Sequence, residues 1–401
     1  MSFNFAYLSG GKLYLKLGQA TVQAIASEFG QAAQERGWQL QRRNGWKRKH
    51  AMSTGLSGDV SPSGQSIVPI AVQGVCPTSA DRLLYTLEAG EDGGIFTLER
   101  LAASISDRQQ PKEKRLFHSA DFKVDRIDFH PEHKLIACAV VRKDGTANIA
   151  TMPVDAVHLE EVTEGDAIDL APKWIPGARK AIVFQSAGIS RNLSGYIIEH
   201  EHSTIQQLDL DQQEVITLAS DPKYDLLSPQ IAADGTLYYI RRPYRPLRQQ
   251  VLFSQTLKEI VLIPARLLTA IFGWLNFFTH RYTGRSLLLV NQPPQVGTQQ
   301  MLLLGRVVDV GLEMERNRRF GDADSPSLVP RSWQLIEQPL HGEAQIIGCG
   351  VLAFDVGVDG KIVYSNGSAI YGVRPGGVTE RLVLDRPIEQ VVMLDRGNDL
   401  N

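Results

Sequence analysis

The sequence predicts an all-β fold, a β-propeller with six blades (seven is the alternative count). Three observations predict it. A tight turn followed by a short apolar, β-branched run recurs six times along the chain. Its central copies lie about 45 to 55 residues apart, the period of a four-stranded blade. The last apolar run, Gln390 to Leu394, has no turn of its own and can close against the first hairpin, removing the open edge.

The turns come first. They are Ser9-Gly10-Gly11-Lys12 before Leu13, Ser79-Ala80-Asp81-Arg82 before Leu83, and Pro131-Glu132-His133-Lys134 before Leu135. Pro176-Gly177-Ala178-Arg179-Lys180 precedes Ala181, Ala233-Asp234-Gly235-Thr236 precedes Leu237, and Val358-Asp359-Gly360-Lys361 precedes Ile362. Gly-Gly and Asp-Gly supply the positive-φ residues of a tight hairpin. Each following run is too short for a helix and rich in β-formers, so it reads as a buried strand. Further strands fill the intervals. Ile95–Leu98, Ala147–Ala150, Thr204–Leu210 and Ile370–Val373 read as third strands, and Glu214–Leu218 reads as a fourth.

The stretch Pro172-Lys173-Trp174-Ile175-Pro176-Gly177 resembles the Pro-x-Trp-Ser-Pro-Asp-Gly blade motif of TolB-like propellers, a WD-repeat-like architecture. Ile127-Asp128-Phe129-His130-Pro131 and Pro229-Gln230-Ile231-Ala232-Ala233-Asp234-Gly235 look like degenerate copies. The resemblance covers most of the chain. It implies architecture and carries no catalytic residue across. Members of the TolB family are periplasmic and carry a signal sequence. The opening residues here lack a basic stretch followed by an apolar one, so a cytoplasmic location is expected.

Composition bounds the function. The 401 residues are 43% hydrophobic and 21% charged, an ordinary globular balance, and the net charge is -2. No nucleic-acid partner is expected from that balance. The three cysteines, Cys76, Cys138 and Cys349, are far apart and form no Cys-x-x-Cys pair, so neither a disulfide framework nor a structural zinc is expected. Each reads as a small buried apolar residue. No cofactor is expected.

One domain, 1–401, is expected, with two insertions that break the repeat. From about residue 19 to 50 the chain reads as helix, because Val22, Ile25, Ala26, Phe29, Ala32 and Ala33 keep the spacing of one helical face. The basic run Arg42, Arg43, Lys47, Arg48 and Lys49 follows, then a Gly/Ser/Pro-rich stretch from Ala51 to Ser66. The arm reads as an anion- or partner-binding element or as a helix packed over the propeller with a solvated end.

The second insertion, a hydrophobic-basic helix at about 249–281, falls in the fifth blade. Between Arg241 and Arg285 stand eight Lys/Arg and one acid, Glu259, a local balance of +7. Pro264 and Arg266 interrupt the apolar run from Ile260 to Phe278, which leaves it short for a transmembrane span. A helix after Pro264 gathers Leu267, Leu268, Ile271, Trp274, Leu275 and Phe278 on one face. Aromatic residues flanked by Arg suit a protein–protein anchor, an interfacial membrane helix, or a helix buried against the propeller's own side. The interaction residues singled out are Arg241, Arg242, Arg245, Arg248, Arg266, Leu267, Leu268, Ile271, Trp274, Phe277, Phe278 and Arg281.

Motifs of catalysis are absent from the sequence. No Gly-x-Ser-x-Gly, P-loop, dinucleotide fingerprint or His-Glu-x-x-His occurs. Glu199-His200-Glu201-His202 places two imidazoles on one strand face, yet no third metal ligand stands near in sequence, and a polar hairpin tip is the plainer reading. Asp128, Asp169 and Asp355 fall near inner strands, where propeller enzymes place acids, without a role assignable from sequence.

The reading that follows is a non-enzymatic interaction scaffold of a bacterial multi-protein assembly. The basic-hydrophobic insert in a propeller is similar to accessory propellers that accompany AAA+ ATPases of the MoxR type, which implies an ATPase partner. A propeller hydrolase or lyase with a site at the channel mouth, and a membrane-surface propeller held by the same helix, are the alternatives.

Overall fold

The computed structural model describes residues 3–246 except 19, 37–38, 40–69, 91 and 102–110, and residues 300–394 except 321–322, 375–376 and 378. In chain order the strands are β1 (Phe5–Ser9), β2 (Lys12–Lys16), β3 (Gln23–Ile25), β4 (Ile70–Ser79), β5 (Arg82–Ala89), β6 (Asp92–Glu99) and β7 (Lys112–Ser119). Next are β8 (Lys123–His130), β9 (Leu135–Val141), β10 (Ala147–Pro153), β11 (Glu160–Glu161), β12 (Ala167–Trp174), β13 (Ala181–Arg191), β14 (Ile197–His200), β15 (Thr204–Asp209) and β16 (Glu214–Ala219). After them come β17 (Tyr224–Ile231), β18 (Leu237–Pro243), β19 (Gln300–Leu303), β20 (Arg306–Asp309), β21 (Gln334–Gln338), β22 (Gln345–Cys349), β23 (Ala353–Val356), β24 (Ile362–Ser365), β25 (Ala369–Val373), β26 (Thr379–Leu384) and β27 (Ile388–Met393).

Among the described residues these strands group into six four-stranded antiparallel units. They are β27-β1-β2-β3, β4-β5-β6-β7, β8-β9-β10-β11, β12-β13-β15-β16, β17-β18-β21-β22 and β23-β24-β25-β26, called here blades 1 to 6. One parallel pair, Ala147 with Ile168, joins blades 3 and 4, and β14 extends β13 into a hairpin beyond its blade. The innermost strands touch in a closed circuit, β27 to β4, β8, β12, β17, β23 and back to β27. A ring of radial four-stranded sheets is a β-propeller.

The closure is the one expected from the chain ends. Phe5 to Ser9 pairs antiparallel with Ile388 to Met393, so first and last strands share blade 1. This shifts the first repeat by one strand. Five of the turn signatures join an innermost strand to the second strand of its blade, whereas Gly10-Gly11 joins the second to the third. The equivalent hairpin of blade 1 has no covalent turn, because its two strands are the chain's two ends.

The core lies between the blades. Along β9, Ile136, Cys138 and Val140 face blade 2, while Ala137 and Ala139 face blade 4. Along β18, Tyr238 and Ile240 face blade 6, and Leu237 and Tyr239 face blade 4. A strand buried on both faces needs no polar alternation, which is why these strands read as continuous apolar runs. Trp174 of the blade motif packs in the layer between blades 3 and 4, with its ring edge-on to buried His130.

The helical expectation over 19–50 is corrected at its start. Gln23–Ile25 is the outer strand of blade 1, and helix α1 occupies 28–36, with the basic run beyond it outside the described residues. Ile25 therefore packs between blades 1 and 2 as a strand residue. Ser27 caps α1 by accepting from Gly30 N at 3.0 Å. Glu113 of β7 completes the N-terminus. Its carboxylate accepts from Phe29 N at 3.0 Å and Ser27 Oγ at 2.6 Å, and also from the Tyr85 hydroxyl. Cys349 is a second correction: it is exposed, while Cys76 and Cys138 are buried.

At the axis, each blade is tied to the next. Gln390 exchanges two bonds with the Val75 backbone at 3.2 Å, and Gln230 does the same with Val356 at 3.1 and 3.0 Å. Asp128 accepts from Trp174 N and Asp355 from Met393 N, both at 2.8 Å. Gln185 accepts from Ser228 N at 2.7 Å, and the Cys76 thiol lies 3.4 Å from Asp128 Oδ1. All six junctions carry such a link. Replacing Asp128 by Ala strands the buried Trp174 amide and leaves the Lys173 ammonium with Asp355 as its remaining carboxylate, and a loss of about 3 kcal/mol is expected in urea unfolding. Asp128→Asn keeps an acceptor and is expected to lose clearly less; equal losses would show that packing alone sets the cost.

Candidate functional site

Two places gather charge: the axial channel and the foot of the blade-5 insertion. In the channel, left-handed residues punctuate three inner strands, Arg126 at φ 44°, Ala171 at 53° and Ser228 at 51°, each at a β-bulge. Two residues on stand Asp128, Lys173 and Gln230. Half-buried Lys173 lies between carboxylates of two other blades, 3.4 Å from Asp128 Oδ1 and 3.5 Å from Asp355 Oδ1. Two of the three acids noted in the sequence thus converge. Asp169 does not join them. It is buried near Ser186 and Thr163, and burial raises its carboxyl above the usual range.

The second place is built on Asp225, in innermost strand β17. One of its oxygens receives Arg242 Nε at 2.9 Å and Arg306 Nη2 at 3.1 Å, and the other receives Ser203 N at 3.2 Å. Arg242 ends the strand that leaves blade 5. Arg306 sits on the β19–β20 hairpin, by which the chain comes back. Arg242 donates to Leu304 O and Arg306 to Pro243 O, both at 2.8 Å, so each leg also holds the other's backbone. Trp333, buried where the chain re-enters the blade, lies under the Arg242 guanidinium with 5.0 Å to the ring centroid. Burial pushes both guanidinium groups down, and Arg242 adds to the effect on Arg306. One carboxylate against two guanidiniums leaves a buried net positive charge, and the Leu304 and Pro243 carbonyls share in its solvation.

The return leg has a core of its own. Helix α2 (Val310–Arg318), capped by Asp309 Oδ1 from Leu312 N at 3.0 Å, follows the hairpin. Leu303, Val308, Val310, Leu328, Val329 and Trp333 pack together with Leu352 of the blade 5–6 connection. The insertion interrupts blade 5 between its second and third strands.

The interaction residues fall out as follows. Arg242 is corrected from a surface role: it is 7% exposed and committed to the clamp. Arg241 is half-buried, donates to Gln334 Oε1 at 2.9 Å and stacks on Tyr224. Arg245 is exposed. Arg248, Arg266, Leu267, Leu268, Ile271, Trp274, Phe277, Phe278 and Arg281 lie outside the described residues. Sequence reasoning missed Asp225, Arg306, Trp333 and Lys173. Lys173 carried a signal, as the cation within the Pro172–Gly177 stretch that resembles the blade motif.

His200 and His202 stand beside the insertion's outgoing leg. Tyr244 donates to His200 O at 2.7 Å, and its ring meets His202 edge-on. His202 Nε2 lies 3.1 Å from Ser220 Oγ. Among the described residues, no group of three His, Cys, Asp or Glu is placed to hold a metal ion. Among the same residues, no helix is long and apolar enough to cross a membrane.

No family profile matches the chain, and no curated protein is similar to it in sequence. Among solved structures it is similar to TolB from Acinetobacter baumannii, at 9% identity and a TM-score of 0.49 over 98% of this chain; it spans 66% of the length of that TolB chain. A chain of the nidogen/laminin complex is similar at 9% identity and TM-score 0.48, with 98% of each chain covered. Puromycin hydrolase is similar at 11% identity and TM-score 0.42, over 94% of this chain and 44% of that one. None of these likenesses supplies an activity.

Two tests follow from this geometry. Asp225→Ala leaves two buried guanidiniums without a carboxylate, and a loss of about 3 to 5 kcal/mol in urea unfolding is expected. A loss below about 1 kcal/mol, the range of exposed pairs, would disprove the clamp. For acidification, burial lowers both His130 and His200 from their ordinary value of 6.5. The unfolded chain then binds protons before the folded one, so their contribution is complete above that value and is lost as pH falls below it. The urea midpoint is expected to drop below about pH 6.5, less steeply in His130→Asn/His200→Asn; an unchanged slope would assign the drop to other groups.

Proposed function

We propose that this propeller is a non-enzymatic interaction scaffold that presents the blade-5 insertion to a protein partner. The observation that carries the reading is the Asp225 clamp. It fixes both legs of the insertion to an innermost strand and to each other. The points at which the chain leaves and rejoins the blade are thereby fixed. The sequence between the legs carries the +7 balance and the apolar run with Trp274, Phe277 and Phe278. That combination favours a partner surface with an acidic rim around an apolar pocket. An AAA+ ATPase of the MoxR type within a bacterial assembly is the partner to test first.

The convergence of Lys173, Asp128 and Asp355 keeps a channel-mouth hydrolase or lyase as the second reading. Against it, both carboxylates also accept a backbone N–H of the neighbouring blade, which assigns them to closing the ring.

Co-purification decides between the insertion and the rest of the molecule. The full chain is expected to retain its partner in fixed proportion, and a chain with Val251–Arg281 replaced by a Gly/Ser linker is expected to lose it. If every partner stays bound to the linker chain, the insertion is not the docking element. Salt-sensitive binding to phosphatidylserine vesicles that Trp274→Asp abolishes, with no protein retained, would replace the protein partner by a membrane surface.

A further inference from the structure

A polar cleft lies between the return leg of the insertion and blade 6, apart from both charged places described above. Arg331 and Ser325 line it from the return leg, Tyr364 and Tyr371 from blade 6, and Cys349 from the end of β22. Its remaining lining is amide and hydroxyl, with no carboxylate. Arg331 is exposed, donates to Phe320 O, and forms no ion pair among the described residues. Its charge is therefore not neutralised within the cleft.

The neutral side of the cleft is equally suited to donation. Tyr364 and Tyr371 stack with ring centroids 5.2 Å apart. Tyr371 shares a 2.8 Å hydrogen bond with Ser325, whereas the Tyr364 hydroxyl has no hydrogen-bond partner among the described residues. Burial foremost, then Tyr371 and Cys349, push the Tyr364 phenol up to about 12, so it keeps its proton at neutral pH. Asn366 buttresses the wall. It donates to Ser325 O at 2.8 Å and accepts from Ser368 N and Ala369 N at 2.9 and 2.8 Å. The cleft thus combines a fixed cation with an unused O–H donor, and nothing in its lining repels negative charge.

From this geometry we infer that the cleft is a binding site for a small oxyanion-bearing ligand, a carboxylate or a phosphate, held by Arg331 and Tyr364. An oxyanion accepts a forked pair of bonds from a guanidinium and a further one from a phenol. The chemistry is shared by carboxylates and phosphate esters, and competition distinguishes them.

Cys349 serves as the reporter. It is the exposed member of three cysteines, the other two being buried, so alkylation of the native protein reads this cleft. The folded protein is treated with iodoacetate and, separately, with neutral iodoacetamide, and the labelling of Cys349 is followed by mass spectrometry. The ratio of the two rates is expected to exceed that of the urea-unfolded chain severalfold. It is expected to fall to the unfolded value in Arg331→Gln, and Tyr364→Phe is expected to lower it in part. Phenyl phosphate or benzoate at millimolar concentration is expected to slow the labelling, and whichever protects at lower concentration names the ligand class. A ratio equal to that of the unfolded chain, or one that Arg331→Gln leaves unchanged, overturns the proposal. So does the absence of protection by either anion. Far-ultraviolet circular dichroism of each variant keeps loss of the site separate from loss of the fold.

Discussion

The structure depends on satisfying the edges at its own centre. Apart from the single parallel pair between β12 and β10, the innermost strand of each blade has a hydrogen-bonded neighbour on one side only. Its other side faces the axis, and an unpaired edge there is both costly when buried and open to mispairing. The ring answers this with side chains. Gln390 and Gln230 each match a backbone N–H and C=O at once, as a primary amide can, and Asp128 and Asp355 accept an N–H apiece. Every junction is closed by a residue of the preceding blade. The inner strands are thus coupled in a circle, and the antiparallel pairing of β1 with β27 makes that circle continuous with the covalent chain.

Blade 4 departs from the pattern, and the departure organises the channel. Its axial position holds Lys173, which has donors and no acceptor, so it cannot receive the amide of the following blade. Gln185 of the second strand takes over that task for Ser228. Lys173 instead reaches Asp128 and Asp355, whose other oxygens are engaged with backbone. A single ammonium thus tempers two buried carboxylates on blades 3 and 6. Without it, each of these buried carboxylates would lose its nearest cation.

Much of this architecture was legible in the sequence, and its limits have physical reasons. The inner and second strands announce themselves because burial on both faces gives unbroken apolar runs such as Leu135 to Val141. The turns announce themselves through residues such as Gly235, at φ 85°. The shifted first repeat was not visible, because Gly10-Gly11 is the same turn whichever pair of strands it joins. Ile25 misled because three residues of an edge strand, followed closely by α1, merge into one apparent helical periodicity. Cys349 misled because its apolar neighbours in sequence belong to an outer strand in which no residue is buried. The Asp225 clamp was beyond reach, since its members are tens of residues apart and no spacing rule links them.

The clamp also bears on why a propeller blade tolerates so long an interruption. Closing a loop costs entropy that grows only as the logarithm of its length, about 0.6 kcal/mol for each doubling. A long insertion therefore needs little compensation, and stability alone gives no reason to bury two guanidiniums against one carboxylate. Such an arrangement is expensive to desolvate, and a hydrophobic contact would hold the legs at lower cost. What charge adds is direction. The guanidinium forks reach Asp225, the Leu304 carbonyl and the Pro243 carbonyl in fixed geometry, and Trp333 closes over Arg242 from the side where the blade resumes. The legs are thereby held in one register relative to the innermost strand. An anchor of that kind fixes where the chain departs from the blade and where it returns, which is what the proposed presentation of the insertion requires.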